Sequence, residues 1–429
     1  PEKRADDKML ICYDEPYSWA FNRKIEHNSQ HYERLATYCR VNADIVDMQV
    51  ARIGAKVYFP SRHEDPLIGE TTGDAVRGKR PATFNVGRMY QYTRLIPSSQ
   101  DFAKILFFKL FLNLGANNCY AGTPLNGRFA AEHPQWVKGW QLQFQYPEIR
   151  EYALNLIREV LEYLPSGFSM DFCRYPMGFP DRQYITDYLR DIRRLVNAAS
   201  AKRGSKILFL ARFPAEGTNE AWVNFDYETY AQEQILDILV PSAIWSYPYW
   251  FDVSKYVKAA EGTGCLVCPS LEAWFFTTPQ QLYLRVADLY RQGTDGFYIY
   301  QADSFTQMGD GLMTKAIATA RDPALLKAAL DRDSTEQPHY SKRILFSHCG
   351  GLPDWQALTV WPEGFLTDRV EFYLDDELVN MAVKPPYILF GDQPLYQRRR
   401  FPEGKHRVRV RARDGDGWIV EEAVLEKSR

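Results

Sequence analysis

Two acidic residues stand out by position. Asp171 closes the run Gly167-Phe-Ser-Met-Asp171, and Glu272 follows the run Cys265-Leu-Val-Cys-Pro-Ser-Leu271. Both runs read as buried strands, so each carboxyl falls at a strand's C-terminal end. In a parallel α/β barrel that end is the mouth, where barrel enzymes do their chemistry. Two carboxyls facing each other there can cleave a glycosidic bond. One protonates the leaving oxygen, and the other attacks the sugar or activates water. Arg174 and Arg212 lie close enough in sequence to strand ends to orient such a carboxylate or to bind substrate.

Other strand ends carry the same kinds of side chain. Asp14 follows the first apolar run, Arg52 the second, and Asn118 and Tyr120 the third. Trp245 and Tyr247 follow the sixth run, Trp274 the seventh, and Gln301 and Asp303 the eighth. A ring of carboxylates, arginines and aromatic faces suits a polar, ring-shaped ligand such as a sugar, because Trp and Tyr pair an apolar face with a polar edge. The arginines further suggest an anionic sugar, sulfated or uronic, since a guanidinium binds such groups bidentately.

The elements that must position these residues are eight strand-like runs: Lys8 to Tyr13, Ala43 to Ala51, Leu114 to Gly122, Phe168 to Asp171, Lys206 to Ala211, Ile238 to Ile244, Cys265 to Leu271 and Gly296 to Tyr300. Helical periodicity lies between them, as at Leu154, Ile157 and Leu161. The alternation predicts a (β/α)8 TIM barrel over residues 1–335, with a long excursion at 53–98. A doubly wound open sheet would carry a Gly-rich loop after its first strand, and Tyr13-Asp-Glu-Pro-Tyr17 has no glycine. Past residue 335 the pattern changes to short alternating strands with turns at Asp375-Asp376 and Asp414-Gly-Asp-Gly417. These predict a small antiparallel β-sandwich over 336–429.

Bulk composition narrows the classes. The net charge is −2 over 429 residues, and aromatic residues make up 14%. Such a balance favours neither nucleic acid nor an anionic membrane surface. No run reaches the length of a membrane span. Of seven cysteines, Cys12, Cys119, Cys173, Cys265 and Cys268 lie in or beside apolar strands and read as small hydrophobes. Cys265 and Cys268 have redox-motif spacing, but residues three apart on a strand face opposite ways. His27 and His31 share a helix face and read as two exposed histidines, for want of a third ligand. No metal and no cofactor is expected. The chain begins at Pro1 rather than Met, which suggests a removed leader and a secreted, periplasmic or cell-surface protein.

Three segments together carry a resemblance: Glu132-His-Pro-Gln-Trp136, Tyr146-Pro-Glu-Ile-Arg-Glu-Tyr152 and Gly167-Phe-Ser-Met-Asp-Phe-Cys-Arg-Tyr-Pro176. Over residues 110–180 the chain resembles the family-10-like group of bacterial glycoside-hydrolase-like barrels. The resemblance implies a barrel glycosidase whose nucleophile is Asp171. Phe172 stands where many members place a second acid. Glu272 is similar to the strand-seven nucleophile of β-galactosidase-type and cellulase-type barrels. The tail resembles bacterial immunoglobulin-like modules attached to carbohydrate enzymes.

The function expected is therefore hydrolysis of a poly- or oligosaccharide by the two carboxylates, and the resemblance implies retention of configuration. Two other readings stand beside it. A carbohydrate-binding barrel without catalysis would bind sugar and not turn it over. A polysaccharide lyase would use Tyr120 or Tyr175 as a base on a uronate. No Gly-x-Ser-x-Gly elbow supports serine-nucleophile chemistry.

Overall fold

The protein is described here by a computed structural model, which covers residues 8–21, 25–67, 89, 93–173, 175–218, 220–243, 251–272, 279–303, 311–335, 342–348, 358–363, 365, 367–383, 387–391, 399 and 401–427. Eight parallel strands form the first part. They are β1 (Met9–Asp14), β2 (Ile45–Arg52), β3 (Lys109–Gly115), β4 (Gly167–Asp171), β5 (Leu208–Pro214), β6 (Ile238–Ser242), β7 (Leu266–Val267 and Ser270–Glu272) and β8 (Gly296–Tyr300). Each pairs with its sequence neighbours, and β8 returns to β1 with Met9 opposite Gly296. The first piece of β7 pairs with β6 and the second with β8. Pro269 has no N–H to give, which is why the ladder breaks between the pieces. Closure survives the break. The Cys268 N–H donates to the Leu239 carbonyl at 3.0 Å, and the Tyr298 N–H donates to the Pro269 carbonyl at 3.0 Å. The sheet is a closed (β/α)8 barrel, as the sequence predicts.

The strands are buried on both faces, which is why they read as nearly continuous apolar runs. Ile11, Ile45, Phe111, Leu210, Ile238, Val240 and Tyr298 fill the inside of the barrel. Residues of opposite parity, such as Leu10, Val46, Leu112 and Phe209, pack under the helices. The helices start and stop where their sequences direct. In the helix Arg182–Arg203, Asp181 accepts a hydrogen bond from the Tyr184 N–H at 2.8 Å, and Gly204 ends the helix at a φ of 73°. A carboxylate cap and a left-handed glycine stop are the expected signals.

The third strand lies earlier than the sequence pattern suggests. The helix spans Leu95–Leu106, Phe107 ends it at a left-handed φ of 61°, and β3 begins at Lys109. A short apolar run does not reveal by itself whether it is helix or strand. As a result Asn117, Asn118 and Tyr120 occupy the loop after β3. His31 is also placed differently from its reading. It is buried between two helices, with Nε2 2.6 Å from the Ser99 hydroxyl. Burial holds its imidazole well below its usual range.

The C-terminal part has two antiparallel sheets. One orders Arg343–His348, Leu358–Glu363 and Tyr387–Ile388, and the other orders Glu377–Ala382, Val370–Leu374, Gly404–Asp414 and Gly417–Lys427. Val360, Phe372, Val408 and Val410 lie in one shared apolar core. Asp375 and Asp376 turn the first hairpin with φ values of 49° and 72°, as a tight two-residue turn requires. The part is a β-sandwich.

Inside the barrel, Gly167 of β4 lies under the Phe111 ring. An added Cβ would come 2.3 Å from that ring. Gly167→Ala should therefore destabilise the protein by about 1–3 kcal/mol, the usual cost of overfilling a packed core. A urea unfolding midpoint equal to that of the wild type would show that Phe111 can move away freely.

Candidate active site

β4 brings Asp171 to the mouth as its last residue. Parity puts its side chain on the inner face, level with Gly115 of β3 and Arg212 of β5. β5 runs two residues past Arg212, so the guanidinium lies inside the barrel rather than beyond it. Arg212 Nη1 donates to both Asp171 oxygens at 3.2 Å, and its Nε donates to the Ser242 hydroxyl at 3.1 Å. The Cys173 N–H donates to Asp171 Oδ1 at 2.9 Å. The Tyr300 ring lies against the guanidinium, 3.8 Å from its carbon. Burial pushes the Asp171 carboxyl up, while Arg212, the Cys173 N–H and Arg52 pull it down, and the net direction is up.

A second ion pair crosses the mouth. β2 carries an irregularity between Gln49 and Ala51, so that Arg52 pairs with the inward position Gly115. Without the extra residue Arg52 would face the helices, and a bulge re-aims a side chain in this way. Its Nη2 meets Glu15, its Nη1 donates to the Tyr58 hydroxyl at 3.2 Å, and its guanidinium lies 5.6 Å from the Tyr120 ring centre. Between the two pairs is a small polar hollow that opens to solvent. Gln49, Arg52, Asn117 and Asn118 line one part of it, and Asp171, Cys173, Tyr175 and Tyr300 another.

Of the residues singled out in the sequence, Asp171, Arg52 and Asn118 line this hollow, Arg212 braces Asp171, and Tyr120 lies over Arg52. Gln301 follows β8 at a left-handed φ of 53°. Glu272 is the last residue of β7, paired in register with Tyr300. Arg174, Trp245, Tyr247 and Trp274 fall outside the described residues. Asp14 is not at the mouth. Ile11 and Tyr13 point inward, so Asp14 points to the helix layer, where it binds Arg34 and accepts a 2.7 Å hydrogen bond from the Tyr38 hydroxyl. Its neighbour Glu15 is the residue that turns inward. Asp303 is likewise buried, and burial, Asp14 and Glu15 together push its carboxyl well up.

One interior carboxylate escaped the sequence reading. Asp47 of β2 is fully buried beneath the mouth. It accepts hydrogen bonds from Ser169 at 2.5 Å, Tyr298 at 2.7 Å and Asn113 at 2.9 Å, and so ties β2 to β3, β4 and β8. Burial, opposed by these three donors and reinforced by Asp171, pushes its carboxyl up to about 6. The signal available in the sequence is its parity with Ile45 and Gln49.

No protein-family model matches the chain, and no curated protein sequence matches it. Among solved structures, the chain is similar to the endo-beta-1,4-mannanase from Thermotoga petrophila, over 98% of this chain and 98% of that one, at 9% identity and a TM-score of 0.46. It is similar to alpha-L-fucosidase isoenzyme 2 from Paenibacillus thiaminolyticus over 76% of this chain and 50% of that one, at 13% identity and a TM-score of 0.47. A GH18 chitinase from Pseudoalteromonas aurantia is similar over 73% of this chain and 100% of its own, at 13% identity and a TM-score of 0.44. Likenesses this distant concern overall shape, and the barrel assignment stands on the strand order and closure above.

Asp47 makes stability depend on pH. Its folded value of about 6 lies above the ordinary 3.8, so the native state holds this proton more tightly than the unfolded chain. The stabilisation is complete below the unfolded value and is lost as pH rises through about 6. Asp47→Asn cannot ionise. The stability of wild type minus that of the variant should fall between acid and neutral pH, by on the order of 3 kcal/mol. A difference that stays flat in denaturant titrations across this range would mean that Asp47 titrates as an ordinary carboxylate.

Proposed function

We propose that the protein is a glycoside hydrolase acting at the barrel mouth, with Asp171 as nucleophile and Glu272 as acid/base. The observation that carries this reading is Asp171 itself. It is a buried carboxylate at the C-terminal end of β4, lining the hollow at the mouth, with its two oxygens held by Arg212 and the Cys173 N–H. N–H donors on both oxygens stabilise the ionised form, which a nucleophile needs and a proton donor does not. Retention of configuration is proposed on the resemblance of the chain to retaining barrels. Glu272 is assigned from its place at the end of β7, opposite Tyr300 in register. An anionic glycan is the finer proposal. It rests chiefly on Arg174, because Arg52 and Arg212 each already face a carboxylate.

Activity on a polysaccharide panel tests the class of reaction. Asp171→Asn and Glu272→Gln should each lower turnover by orders of magnitude, and near-normal turnover in either variant removes that residue from the mechanism. Substrates with good leaving groups should rescue Glu272→Gln alone. Rescue of Asp171→Asn instead would reverse the two roles.

The pH profile gives an independent check. With Asp171 acting as an anion, activity rises with pH through its carboxyl pKa, which lies above the usual carboxylate range because burial prevails. Arg212→Gln removes the largest opposing influence, so the acidic limb should move to still higher pH. A shift of the alkaline limb instead would identify Asp171 as the proton donor.

A further inference from the structure

Beside the hollow lies an aromatic pair that the mechanism does not use. The strands Val137–Lys138 and Gln141–Leu142 form a short hairpin whose turn is Gly139-Trp140, with Gly139 at a φ of 62°. A glycine of positive φ at the first turn position suits a two-residue hairpin. The turn presents Trp140, which is 42% exposed. Its ring centre lies 5.5 Å from that of Tyr120.

Both rings are fixed by the chain around them. Tyr120 has a left-handed φ of 51°, an unfavourable conformation for a bulky residue. It is held there by the Asn118 side chain, which accepts from the Tyr120 N–H at 3.1 Å, and by Thr123, whose N–H and hydroxyl donate to the Tyr120 carbonyl at 3.0 and 2.8 Å. The Trp140 carbonyl accepts from the Cys119 N–H at 2.8 Å. Asn117 clamps the hairpin by bonding both the N–H and the carbonyl of Leu142 at 2.9 Å. Asn117 and Asn118 also line the hollow, so the same loop builds the pocket and the aromatic pair. Strain held by such contacts marks functional sites.

We propose that Trp140 and Tyr120 form a stacking subsite for a second sugar ring, adjacent to the ring that reacts at Asp171. The inference rests on the glycosidase reading and extends it: the substrate is an oligosaccharide or longer, bound across at least two units. The hollow is small, and the ring contacts run from Arg52 at its wall to Tyr120 and on to the part-exposed Trp140. An aromatic face offers a pyranose ring apolar contact without demanding a particular hydroxyl pattern.

The test is binding by calorimetry to the full-length Asp171→Asn protein, with cello-, manno- and chito-oligosaccharides of one to four units as probes. In this parent, affinity should rise on going from one unit to two. Trp140→Ala should weaken the longer ligands about fivefold to tenfold, the equivalent of one aromatic contact, and should abolish that rise. Trp140→Phe, which keeps a ring, should restore most of it. A length dependence that persists in Trp140→Ala overturns the subsite and leaves the glycosidase reading intact, as does Trp140→Phe binding no better than Trp140→Ala. Length-dependent binding that needs Trp140, with no turnover by wild type, overturns hydrolysis and leaves the subsite standing. No binding of any probe by the parent overturns the subsite, and the polysaccharide panel then decides the glycosidase reading on its own.

Discussion

The buried pair of Asp171 and Arg212 is the contact on which the mouth depends. Little water reaches either charge, since the side chains are 4% and 2% exposed. Removing one partner of such a pair leaves a buried charge uncompensated, typically at about 3–5 kcal/mol. The surroundings are arranged to prevent that. Ser242 takes the guanidinium Nε, the Cys173 N–H takes Asp171 Oδ1, and the Tyr300 ring faces the guanidinium. A desolvated guanidinium over an aromatic face gains roughly 2 kcal/mol. These partners come from β6, the β4 loop and β8, so the pair has its full set of partners only once the barrel has closed. The cost of holding a charge in the interior thus falls on the carboxylate proposed to react.

The Arg52 and Glu15 pair repeats the arrangement from the other side of the hollow. Each described arginine at the mouth has its own carboxylate, so the pocket is polar without a strong field of one sign. Field strength is what attracts a charged ligand, whereas a balanced site recognises one through directed hydrogen bonds and ring contacts. Asn118, Tyr175 and Tyr300 supply such groups along the hollow wall. The geometry therefore favours selection by shape and hydroxyl pattern within the described part of the site.

Much of the barrel was legible because parallel strands buried on both faces leave nearly unbroken apolar runs. Asp171 was legible for the same reason, since it ends such a run. Choosing between Asp14 and Glu15 was harder. A shift of one residue at a strand end turns a side chain to the opposite face, and β1 continues one residue past the apolar run. Arg52 was singled out because it follows an apolar strand, but its inward aim comes from an irregularity in β2 that no pattern in the sequence announces. β3 was misplaced because helix and strand share one apolar run, divided only by the left-handed Phe107. Trp140 was not legible, because the hairpin that presents it lies between β3 and β4, away from the end of any barrel strand.

Asp47 explains why the mouth can be so polar at all. Below it, Phe111, Ile238 and Ile45 make an apolar floor, and above it lie two ion pairs. Asp47 joins the levels by gathering Ser169, Tyr298 and Asn113 from three other strands. Ser169 is the inward residue immediately before Asp171 on β4, and Tyr298 holds the same relation to Tyr300 on β8. Fixing these two positions fixes the strands that carry the nucleophile candidate and its aromatic neighbour. An apolar side chain at position 47 would leave three buried donors unmatched, each costing about 1–3 kcal/mol. The interior carboxylate is thus a consequence of raising polar groups on a hydrophobic barrel, and the same network holds the Asp171 end of β4 in register with its partners.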